Sequence, residues 1–86
     1  MMVLYMKMPD GLEVVHSGIE QREGIETVRI YFERPVETGF DTAECLLPHK
    51  TWSKIKGFSG AEIGELVNFV NRQDDLIFDI ARQEAV

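Results

Sequence analysis

Three side chains carry the intrinsic chemistry of a nucleophile or a soft metal ligand: His16, Cys45 and His49. A zinc site needs such residues at short, repeated spacings, and no two of the three stand at ligand spacing. Cys45 and His49 are four apart, but Pro48 lies between them and changes the local conformation. A Cys–His pair also needs an orienting group and an oxyanion site, and the sequence points to neither. Cys45 therefore reads as a small buried hydrophobe, and both histidines as surface or strand-edge residues. Asp74 and Asp75 are an adjacent carboxylate pair, which successive helical positions would send to different faces. Calcium-loop, P-loop and G-x-G-x-x-G spacings are missing from the sequence. No catalytic residue, metal ligand or cofactor is expected, and the chain reads as a non-enzyme.

The strongest chemical asymmetry is one of charge. The 86 residues carry a formal charge of −6. From Cys45 to Ala61 there is no acidic residue, while Lys50, Lys54 and Lys56 are basic. The other six basic residues face all fifteen acidic ones in the remainder. His49 and Trp52 lie within the basic stretch. Five residues, His49, Lys50, Trp52, Lys54 and Lys56, thus form the candidate partner-contact patch, suited to an acidic protein surface.

The same region, LPHKTWSKIKGFSGAEIGELVNFV, has the outline of a helix-turn-helix. A DNA reader would present basic and polar side chains from its second helix. Here that helix would offer Glu62, Glu65 and Asn68, the wrong charge for phosphate. Three lysines also fall short of the roughly six to ten phosphate contacts of a salt-sensitive binder. Nucleic acid is therefore the secondary reading, through Lys50–Lys56. The leading expectation is a small interaction or regulatory module acting by protein–protein contact, with an unknown partner or with itself through a strand edge.

The elements that must position these residues follow from periodicity. Residues 2–8 and 12–16 flank Pro9-Asp10-Gly11, a turn signal, and suggest a hairpin. Residues 17–24 read as a connector. Glu26–Glu33 alternates, with Val28, Ile30 and Phe32 on one side. Arg34–Gly39 reads as a loop, and Phe40–Leu47 alternates again. Pro48 opens a short helix over 48–57, with Trp52 and Ile55 one turn apart and Gly57 as its stop. Ser59-Gly60-Ala61-Glu62 is a capping box, and Phe58 and Ile63 stand at the positions of a hydrophobic staple. Ile63, Leu66, Val67 and Val70 form one helical stripe, and Leu76, Ile77, Ile80 and Ala81 a second. The interruption at Asn71–Asp75 predicts two helices with a bend near Asn71, with one continuous helix as the alternative.

The expected fold class is therefore α+β: an N-terminal antiparallel β-meander of three or four strands, with two or three C-terminal helices packed on one face. One domain is expected over residues 1–86, with strands about 2–47 and helices about 48–84. The single cysteine suits a reducing compartment, and the apolar start is too short to span a bilayer, so the reading is cytoplasmic with no membrane partner.

Overall fold

The computed structural model describes residues 2–84. Six strands precede one helix: β1 Val3–Lys7, β2 Glu13–His16, β3 Glu20–Arg22, β4 Ile25–Val36, β5 Gly39–Leu47, β6 Thr51–Lys56 and α1 Gly60–Glu84. All pairings are antiparallel, in the order β1-β2-β4-β5-β6. The short β3 pairs with the first residues of β4, beyond the end of β2. The class is α+β, but the expectation of three or four strands and two or three helices is overturned by six strands and a single helix.

The two extra strands have local causes. Residues 20–25 fold back as a hairpin closed by Arg22 opposite Ile25, with Glu23 at φ 52 and Gly24 at φ 78 between them. Two positive φ values in a two-residue loop are the geometry that suits the twist of the flanking strands. Glycine adopts it freely, whereas Glu23 does so against its preference, which is why the stretch reads as a connector. Residues 51–56 form β6 instead of a helix. A helix there would bury only Trp52 and Ile55, and would leave the side of β5 that faces away from β4 unpaired. As a strand, the segment satisfies that backbone. It also stacks Trp52 on Phe32, with ring centroids 5.8 Å apart and planes 18° apart. The expected loop at Arg34–Gly39 shrinks to Glu37-Thr38, because β4 runs on to Val36, opposite Gly39. Pro35 is tolerated because β2 ends opposite Glu33, leaving β4 an edge there.

Alternation decides which side chains enter the core. Val14 and His16 from β2, Val28, Ile30 and Phe32 from β4, and Ala43, Cys45 and Leu47 from β5 are all buried. The helix covers them with Leu66, Phe69, Val70, Ile77 and Ala81. Phe69 meets Phe32 and Tyr5 edge-on at 6.0 and 6.3 Å, so Tyr5, Phe69, Phe32 and Trp52 form an aromatic seam from one edge strand to the other.

The helix is continuous from Gly60 to Glu84, with no break near Asn71 into the two expected helices. The pattern falters at Asn71–Asp75 because the in-phase position is held by a polar residue. Gln73 accepts a 2.6 Å hydrogen bond from the Tyr5 hydroxyl, which satisfies its half-buried amide oxygen. The start of α1 lies where the capping box places it. The Glu62 amide donates to Ser59 Oγ at 3.1 Å, and the Ser59 amide donates to Glu62 Oε1 at 2.9 Å.

Candidate functional site

The five residues of the basic stretch do not share a face. His49 and Lys50 lie in the turn at 48–50, and Trp52, Lys54 and Lys56 lie on β6. Trp52 is half-buried against the core. Lys50 reaches the helix, where its Nζ is 3.2 Å from Asp74. Lys54, at φ 54 in an irregularity of the β5–β6 pairing, meets Glu44 at 3.5 Å. Lys56 is exposed opposite Thr42. Lys50 and Lys54 are each held by a carboxylate from a different element. His49 borders a concavity of about 580 Å³ with Arg22, Glu23, Ile25, Thr27 and Leu46.

That concavity lies at one end of the sheet face that α1 leaves uncovered. Strand register sets the composition of this face. One row runs Leu4, Val15, Tyr31, Glu44, Ser53 from β1 to β6. A neighbouring pair sets Arg29 against Leu46. Leu4 is 56% exposed, and Val15, Tyr31 and Leu46 are half-buried. Arg29 bridges Glu20 at 3.2 Å and Glu44 at 3.8 Å. The result is an apolar diagonal beside a paired charge cluster. No sequence motif marks it, because Tyr31 and Val15 are distant in the chain and meet only once β2 pairs with β4.

The densest cluster of titratable groups surrounds Arg34. Its guanidinium lies 2.7 Å from both Asp41 and Glu62 and 3.6 Å from Asp10, and it covers the Phe58 ring at 4.9 Å. The hairpin register places Asp41 directly opposite Arg34, a pairing invisible while 34–39 is read as a loop. The hydrogen bond from Arg34, then the one from the Ser59 amide, pulls the Glu62 carboxyl down to about 2. Hydrogen bonds to Glu62 and Asp41 push the Arg34 guanidinium further above its usual range. A general acid or base works best when it titrates near the operating pH, and these two groups are driven away from it. The cluster ties the β4–β5 hairpin to the helix start and to the turn after β1.

Two further groups of chemical interest are enclosed. Burial pushes the Cys45 thiol up to about 11, with Lys50 lowering it and Asp74 raising it less strongly, so a reactive thiolate is disfavoured. His16 is only 1% exposed, which overturns its reading as a surface or edge residue. It shares a face with Val14, and its Nδ1 lies 2.8 Å from the Ser17 carbonyl oxygen, which accepts from it. The carboxylates on the C-terminal half of α1 line a groove of about 750 Å³. There Arg82 bridges Glu26 and Asp79, and Lys50 holds Asp74. Among the described residues no three His, Cys, Asp or Glu side chains converge to hold a metal ion.

The chain matches no family model, no curated protein and no solved structure. Among the described residues no helix is long and apolar enough to cross a membrane.

Proposed function

We propose that this protein is a small non-enzymatic interaction module acting by protein–protein contact, and that its contact surface is the uncovered face of the sheet. One observation carries the reading: Leu4, Val15 and Tyr31 are set side by side across three strands, with no layer over them. Leu4 is exposed and Val15 and Tyr31 are half-open beside it, and a contiguous apolar surface rimmed by charge is the usual mark of a contact site. Tyr31 is the natural anchor, since a rigid aromatic with a polar tip contributes large contact area at low entropic cost. His49 joins this surface at its rim. Lys50, Trp52 and Lys54 are assigned to holding the 48–50 turn and β6 to the rest of the fold. A cytoplasmic location belongs to the same proposal, resting on the single, enclosed cysteine.

Photo-crosslinking in the native cell tests it. Tyr31→p-benzoylphenylalanine should give a discrete protein adduct, whereas Asn68→p-benzoylphenylalanine, on the exposed side of α1, should not. Adducts at neither position, or equal adducts at both, would overturn the assignment.

A further inference from the structure

We infer that two copies of this chain associate through β1, edge to edge and antiparallel, with the two-fold axis at Leu4, forming one continuous sheet. The inference goes beyond the contact-face reading, since pairing at the edge leaves that face open and lengthens its apolar row.

The two edges of the sheet are unlike. The β6 edge carries Lys54 and Lys56, and Lys54 interrupts the regular pairing at positive φ. Lysines and local distortion are how natural sheets block a further strand. The β1 edge exposes Leu4 at 56%, Met2 at 40% and Met6 at 37%. Its one lysine, Lys7, lies at the far end, 3.8 Å from Glu13. The irregularity in β1 falls between Leu4 and Met6, where Tyr5 turns to the helix, and leaves Val3 and Leu4 in register with β2.

Charge favours the same edge. Two chains of charge −6 repel, and association must occur where no carboxylates are brought together. The first eight residues contain no acidic side chain and one lysine. A two-fold axis at Leu4 places Leu4 against its own counterpart. The apolar row then continues without a break from Tyr31 through Val15 and Leu4 to the same three residues of the second copy. An isologous edge pair of this kind closes on itself, whereas β1 on β6 would propagate and would set lysines into the joint. β1 has only five residues, so the contact is small and the association modest.

Sedimentation equilibrium of the intact chain from about 10 to 500 μM measures it. The expected mass rises to twice the 9.8 kDa of one chain. Leu4→Lys should raise the dissociation constant by about tenfold or more, through lost apolar burial and like charges at the axis. Leu4 is exposed in one copy, so the variant should keep its far-ultraviolet circular dichroism. As an independent readout, Leu4→Cys should form a disulfide-linked dimer under mild oxidant, and Ile55→Cys on the β6 edge should not. A chain that stays monomeric throughout, or a dimer indifferent to Leu4→Lys, or one linked equally through Ile55→Cys, overturns the inference. Monomeric behaviour with a persistent Tyr31 adduct to another protein would sink the dimer and leave the contact face standing. A β1 dimer without any Tyr31 adduct would do the reverse.

Discussion

Ser59 and Glu62 hold each other across the first turn of α1, and Glu62 also holds Arg34. Ser59→Ala should therefore cost about 1 kcal/mol, the usual price of a lost N-cap, read as a lower urea midpoint at unchanged slope. Glu62 responds to pH in a definite sense. Its folded value of about 2 lies below its ordinary value of 4.5, so the folded state binds its proton less readily than the unfolded one. Its contribution is complete above the ordinary value and disappears as pH falls towards 2. In Glu62→Gln this component of the acid limb should be gone, and the stability gap to wild type should narrow steadily between about pH 4.5 and pH 2. A gap that stays constant over that range would mean that Arg34 does not hold the carboxylate. This pairing was half legible in the sequence. The S-x-x-E spacing announces the cap, but the arginine that completes it comes from a hairpin register set 28 residues away.

Elements were legible where one period dominates and illegible where tertiary pairing overrides it. β4 and β5 show alternation that a strand alone explains, and α1 begins at its capping box. β6 offers two apolar residues in six, a pattern that a helix or a strand accommodates equally. The choice was made by the unpaired side of β5 and by the room beside Phe32, neither of which is encoded locally. The middle of α1 misled for the opposite reason, since a buried-face position is occupied by Gln73. Arg72→Pro separates the two descriptions. Proline is harmless in the first turn of a helix that starts after Asn71. In the interior of one continuous helix it should cost about 3 kcal/mol or more. A thermal midpoint near wild type would restore the bend. The helix expected to display the basic stretch is replaced by a turn and a strand, from which Lys50 reaches Asp74 on α1 and Lys54 reaches Glu44.

At the scale of the molecule, one helix laid on one sheet gives two layers and a body of 38 × 21 × 20 Å. Two layers enclose one core and leave one broad face wet. Strand register across that face, which no single segment contains, puts Val15 and Tyr31 together. Whole-molecule charge also bears on nucleic acid. The charge is −6 overall, and Lys50 and Lys54 are paired with carboxylates of different elements, which opposes the roughly six to ten phosphate contacts of a salt-sensitive binder. Mixed duplex DNA at physiological salt should show no binding in fluorescence anisotropy. Submicromolar affinity that falls steeply with added salt would contradict this and return the basic stretch to a functional role.

The β4–β5 hairpin pairs nine residues on each strand across a two-residue turn, the longest ladder in the molecule. In kinetic terms it is the cheapest large structure the chain can make, since its loop closure costs little entropy and each added pair extends a ladder already begun. β1 and the far half of α1 must wait for that scaffold, because Tyr5 and Gln73 are 68 residues apart. Weakening the hairpin core by Ile30→Val should therefore slow refolding, with the unfolding limb of the chevron little changed. Tyr5→Phe should leave refolding intact and accelerate unfolding. The transition state would then contain the strands that form the centre of the sheet, and the edge that we assign to self-association would be the last part of the sheet to form.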